Sequence, residues 1–218
     1  MAALTLNAGR LRANLDQVRA EIERAAARAG RDPASVELCA AVKYVPLEQL
    51  PILAEAGIDL VGENRAQDLV AKADAFGEVF TWDFIGHLQS RKVKLVAPCV
   101  RLIHSVASDS VLEALARHAA PDTEVLVEID VAGEAGKSGI APAALGDFLA
   151  RCPVRVSGLM TMPPLALSPE RSRPYFAALR ELAARHGLER LSMGTTQDFT
   201  VAVEEGATIV RIGTRLYT

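Results

Sequence analysis

The sequence predicts an α/β chain that closes into a single (β/α)₈ TIM barrel with an additional N-terminal helix. Eight short β-prone runs alternate with helical patterns, and several runs are apolar on successive residues. No linker or low-complexity stretch divides the 218 residues, so one domain over residues 1–218 is expected. Alternation of this kind demands parallel strands with right-handed crossovers. An open doubly wound sheet is the alternative; a count of eight, with strands buried on both faces, favours the closed barrel.

The first element is helical, because Leu11, Leu15, Val18 and Ile22 recur at spacings of four and three and share one face. Gly30 follows as its C-cap and Pro33 prevents continuation. The β-prone runs are 37–44, 58–64, 80–86, 100–106, 123–130, 154–160, 189–194 and 207–213. Helical patterns lie between them, among them 65–77, 110–120 and 172–187, the last ending on Gly187. Seven such helices and the N-terminal one make eight. Pro51 falls inside the helix that would start at Pro46, so that helix starts late or is kinked.

Composition excludes several partners. A net charge of -3 offers no basic surface for a polyanion, so no nucleic acid is expected. Apolar runs stop far short of the roughly 20 residues of a membrane span, so no membrane is expected either. The start MAALTLNAGR lacks the basic-then-apolar order of a signal peptide. Cys39, Cys99 and Cys152 are an odd set without CxxC spacing, which reads as reduced thiols in a cytoplasmic protein, with no disulfide and no metal. A monomer is the expected state.

In such a barrel the chemistry gathers at the C-terminal ends of the strands. Those ends hold Lys43, Glu63-Asn64, His87, His104-Ser105, Asp130, Met160, Ser192-Met193-Gly194, and Arg211 with Gly213-Thr214. Lys43 ends the apolar run LCAAV; partial desolvation there would lower its pKa and offer a neutral amine to a carbonyl. LSMGTTQDF (191–199) reads as strand, small-residue turn and helix, with N–H groups from Gly194 to Thr196 available to an anion. Alternatively, Thr195 is an N-cap with Asp198 as its capping-box partner. RIGTR, after the eighth strand, adds a second glycine turn where phosphate sites of this fold collect. A strand-end lysine opposite a phosphate cradle suits pyridoxal 5′-phosphate (PLP), with Arg211 between them near the pyridine nitrogen. An ion pair with a neighbouring carboxylate is the plainer reading of Arg211.

The motifs AVKYVP, GENRAQD, WDFIGHLQSRK, EIDVAGEAGKSGI, VSGLMTMPP and LSMGTTQDF…GATIVRIGT, in order from about Val36 onward, resemble the pyridoxal phosphate homeostasis protein family. The fold of that family is like the N-terminal barrel of alanine racemase. The resemblance implies Lys43 as the Schiff-base lysine and Asn64 near the cofactor. It implies Ser192, Met193, Gly194, Gly213 and Thr214 around the phosphate, and Arg211 at the ring nitrogen. Arg91 stands where the family usually has Asn, and Thr195-Thr196 replace the usual Met-Ser, Thr196 keeping a hydroxyl. His87 and His104 either contact cofactor or substrate or are structural; His118 and His186 sit at helix ends as dipole partners.

The expected function is that of a PLP carrier in vitamin B6 and amino-acid homeostasis, not an enzyme, with apo PLP-dependent enzymes as recipients. Racemisation needs a second base, which alanine racemase-like enzymes draw from a further domain not expected beyond Thr218. An arginine at the ring nitrogen also weakens the electron sink. The alternatives are a small PLP-dependent amino-acid racemase or lyase using Lys43 with Tyr44 or a histidine, and a barrel for another phosphorylated metabolite.

Overall fold

The computed structural model describes residues 5–133, 136, 138–165 and 167–218. Glu134, Ala135 and Lys137 of the EIDVAGEAGKSGI motif therefore lie outside the described residues. The strands are β1 (Glu37–Ala41), β2 (Leu60–Glu63), β3 (Thr81–Phe84), β4 (Leu102–Val106), β5 (Glu124–Glu128), β6 (Arg155–Met160), β7 (Arg190–Thr195) and β8 (Ile209–Ile212). Every neighbour pair is parallel, and β8 pairs back onto β1, so the sheet closes in sequence order. Each observed strand lies within its β-prone run, apart from one residue added at the end of β7.

The N-terminal helix α1 (Ala8–Arg28) buries Leu11, Leu15, Val18 and Ile22 as their spacing requires. Its end is set by Gly30, whose φ of 65° places it in the left-handed region. α2 (Leu50–Glu55) starts late, with Pro51 in its first turn where no N–H is needed. α3 (Ala66–Phe76), α5 (Asp109–His118) and α7 (Arg173–Arg185) fall on the expected patterns. Between β3 and β4 the crossover is broken around the single turn α4 (Val93–Val96), with Pro98 preventing a longer helix. α6 (Leu145–Arg151) and α8 (Phe199–Glu204) complete the ring, and a terminal turn α9 (Thr214–Tyr217) follows β8.

Two apolar layers result. Cys39, Leu60, Leu102, Leu126, Met160 and Ile209 fill the barrel interior. The larger cluster lies between the sheet and the helices and includes Val61, Phe84, Ile103, Val125, Leu159, Met193 and Val210. The split follows the alternation of side chains along each strand. The lower rim carries charges at the strand starts. Glu37 accepts from Arg101 at 2.5 Å, and Arg190 lies 3.4 Å from Glu37 and 3.9 Å from Glu124.

Gly158 of β6 leaves no room for a side chain against β7: a Cβ there would lie 1.9 Å from the Arg190 carbonyl oxygen. Gly158→Ala must push the two strands apart. It is expected to lower stability by about 1–3 kcal/mol, the range typical of overpacking, in denaturant unfolding. An unchanged midpoint would mean that the sheet gives way there without strain.

Candidate functional site

Five strands (β1, β2, β3, β5 and β8) end earlier than their β-prone runs, and this sets the geometry of the mouth. β1 stops at Ala41; the Val42 N–H still reaches the Gly62 carbonyl at 2.9 Å, and a turn closes from the Val45 N–H to the Val42 carbonyl. Lys43 therefore sits in the turn and not in the strand. It is exposed, against the expectation of partial desolvation, because the turn lifts it above the sheet; its Nζ lies 4.8 Å from the centre of the Tyr44 ring.

Behind this turn lies a buried clamp. Lys72 of α3 points inward and donates to the Val42 carbonyl at 2.8 Å and to Glu63 Oε2 at 2.6 Å. Glu63 Oε1 in turn accepts from the N–H groups of Asn64, at 2.6 Å, and Arg65. One lysine thus ties the residue before Lys43 to the residue before Asn64, and both turns are held against the same charge pair. The sequence reading passed over Lys72, although it lies on the stripe Ala66, Leu69, Phe76 of α3, where an apolar residue is the norm.

A cavity of about 500 Å³ opens at this end of the barrel. Lys43, Asn64, Arg211, Gly213 and Thr214 line it, together with Tyr44, Thr196 and Gln197. Tyr217 also lines it, unforeseen, its hydroxyl donating to the Ala41 carbonyl at 3.1 Å. Burial pushes the Tyr217 phenol well up from its usual range, so it stays neutral. Asn64 Oδ1 is buried without any hydrogen-bond partner, an unusual state for an amide oxygen and one that a bound donor would relieve.

Other expected site residues serve the frame. Gly194 has a φ of 91°, and a Cβ on it would stand 2.5 Å from Ala202 Cβ, so only glycine lets β7 lie this close to α8. The pairing of β7 with β8 is irregular between Ser192 and Thr195, where the turn begins. Thr195 donates its N–H to Asp198 at 2.8 Å, and Ser172 donates to the other Asp198 oxygen. The Thr195 N–H is thus engaged by Asp198, as in the alternative reading of that turn, though here the carboxylate does the capping. The Gly213 N–H reaches Thr196 Oγ1 at 3.3 Å. Met193 packs into the outer core, leaving only its main chain near the turn.

Ser192 is fully buried, with its hydroxyl inside the barrel between His104 Nδ1, at 2.8 Å, and the Arg211 guanidinium. His104 Nε2 lies 3.0 Å from Asp83 Oδ2, which Arg101 also holds at 2.8 Å. His104 is therefore mid-strand, below the cavity and bonded through both ring nitrogens, while His87 is exposed beyond the end of β3. Arg91 is in an exposed turn and bonds Gln89. Burial lowers the His104 pKa and outweighs the carboxylate beside it. Burial would raise Asp83, but hydrogen bonds and charge from His104 and Arg101 hold it below the usual carboxylate range. Among the described residues no group of histidines, cysteines and carboxylates could hold a metal, and no helix is long and apolar enough to cross a membrane.

No family model matches the chain. Full-length relatives do. The chain is 41% identical over 219 residues to the pyridoxal phosphate homeostasis protein of Aquifex aeolicus, covering 93% of this chain and 95% of the relative. Among solved structures, PipY of Synechococcus elongatus with PLP bound is 31% identical with a TM-score of 0.76, covering 91% of this chain and 100% of that one. Alanine racemase of Corynebacterium glutamicum, 19% identical with a TM-score of 0.70, covers 98% of this chain and 62% of its own and shares the barrel alone.

The buried imidazole makes stability depend on pH. An unfolded histidine binds a proton near its ordinary pKa of 6.5, whereas folded His104 does so only at lower pH. Its contribution is therefore complete above that value and is lost as the pH falls below it. The free energy of unfolding should fall between about pH 7 and pH 5, with this one group adding up to about 1.4 kcal/mol per pH unit. His104→Gln should flatten that portion of the curve in denaturant titrations; an equal slope in both proteins would contradict the assignment.

Proposed function

The chain belongs to the pyridoxal phosphate homeostasis protein family, and from that premise we propose that residues 1–218 act as one PLP-binding domain, a carrier with little or no turnover. The observation that carries this reading is the gathering of Lys43, Asn64, Arg211, Gly213 and Thr214 around one cavity at the strand ends. Its volume suits a small ligand. The residues fit the coenzyme on the structure's own terms: Asn64 Oδ1 lacks a donor, and Lys43 is an accessible amine.

PLP supplies an aldehyde and a phosphate when bound. Lys43 would hold the coenzyme through its amine, as a Schiff base to the aldehyde carbon with water released. Turns at Gly194–Thr196 and Gly213–Thr214 receive the phosphate, with Thr196 and Thr214 contributing hydroxyls. The side chains of Ser192 and Met193 are engaged elsewhere, so their share in that cradle is main chain only. Arg211, which lines the cavity, would face the ring nitrogen. Burial lowers its pKa, yet a guanidinium stays charged at neutral pH, which disfavours a protonated ring and weakens the electron sink. Apo PLP-dependent enzymes of the cytoplasm are the recipients, and a monomer suffices.

The purified protein is expected to be yellow. Borohydride reduction followed by peptide mass mapping should find the pyridoxyl group on Lys43, and Lys43→Ala should be colourless. An adduct on Lys92 or Lys94 would overturn the assignment.

Tyr44, beside Lys43, gives the alternative of a small racemase or lyase its one specific support. Exchange of the alanine α-proton in heavy water separates the two readings. A carrier should exchange at well under about one event per second, whereas typical enzymes turn over at about 1–10³ per second. Many exchanges per second would make the racemase reading the better one.

A further inference from the structure

We propose that Asp83 and His104 are positioning residues for Arg211: the line from carboxylate to imidazole to the Ser192 hydroxyl fixes the guanidinium in the cavity and sets its grip on a heteroaromatic ring nitrogen. The inference rests on the PLP reading above.

Each link has a fixed polarity. Arg101 holds both oxygens of Asp83, at 3.1 and 2.8 Å, so the carboxylate is ionised and can only accept. The buried neutral imidazole therefore carries its proton on Nε2, and that N–H donates a hydrogen bond to Asp83. Nδ1 is left as an acceptor, so the Ser192 hydroxyl donates to it and turns its lone pairs to Arg211. Ser192, His104 and Asp83 are all fully buried, so water does not compete at any link.

The other end of the line is the cavity. Arg211 Nη1 donates to Ser192, and Nη2 lies 3.1 Å from the Thr161 carbonyl and 2.9 Å from Met162 Sδ. These contacts fix the plane of the guanidinium. The Nε–H and the second Nη1–H have no protein acceptor among the described residues, on a side chain that is 5% exposed and lines the cavity. The line also carries stability, because removing one partner of a buried charge leaves that charge uncompensated. What it adds beyond that is orientation of one cation.

The test compares PLP with its 1-deaza analogue, in which carbon replaces the ring nitrogen while aldehyde and phosphate remain. Affinities and melting temperatures are measured for the wild type, His104→Leu and Ser192→Ala. The wild type should prefer PLP by about tenfold or more, as a hydrogen bond to a charged group warrants. Both variants should lose most of that preference while still binding the analogue. A variant with a lower melting temperature but an intact preference would show a purely structural line and overturn the proposal. If His104→Leu fails to fold, Ser192→Ala, which deletes a single hydroxyl, decides alone. A wild type that binds both ligands equally removes Arg211 from the ring nitrogen and overturns the proposal. A wild type that binds neither overturns the PLP reading and the proposal with it.

Discussion

A carboxylate in the middle of a barrel has to be compensated, and much of the interior is arranged around that requirement. Asp83 is fully buried on β3. Left alone it would take up a proton or destabilise the fold by several kcal/mol. Instead Arg101 enters from the lower rim with two hydrogen bonds, and His104 supplies a third from above. Once that carboxylate is charged, the imidazole tautomer, the direction of the Ser192 hydroxyl and the pose of Arg211 follow in turn. The apolar residues around them fill volume; the polar line sets direction.

A second buried charge pair does for the turns what Asp83 does for the interior. Lys72 and Glu63 lie outside the barrel wall, yet they hold the chain on both sides of the wall's upper edge. Lys43 itself is exposed, so its placement comes from its neighbours and not from its own contacts. An accessible amine on a rigidly anchored turn suits a residue that must meet a ligand from solution. The same is true of Asn64, whose main chain is fixed by Glu63 while its amide oxygen is left unsatisfied.

The barrel was legible because its strands are buried on both faces and read as apolar runs, and because α1 keeps a clean helical period. The site residues were legible as strand ends, though the ends themselves were misjudged by one to three residues at most sites. Apolar character continues into the first turn residue, as at Val42, after the ladder has stopped. Side-chain partners were a different matter. Ser192 is expected beside phosphate, and its hydroxyl bonds His104, 88 residues away in the chain. No local pattern encodes such a pairing. The signal that was present is subtler: Asp83, His104 and Ser192 each interrupt an apolar strand at an inward position, and three polar interruptions facing one interior must find one another.

The charged lower rim has a consequence for how such a sequence can drift. Barrels of this type usually keep chemistry at the upper face and stability at the lower, so that substitutions below leave the ligand untouched. Here Glu37 holds Arg101, Arg101 holds Asp83, and the line continues to the cavity. Glu37, on the outer bottom edge, is therefore not free to vary alone. A lineage that lost its charge would loosen Arg101, and the disturbance would surface at the opposite end of the barrel.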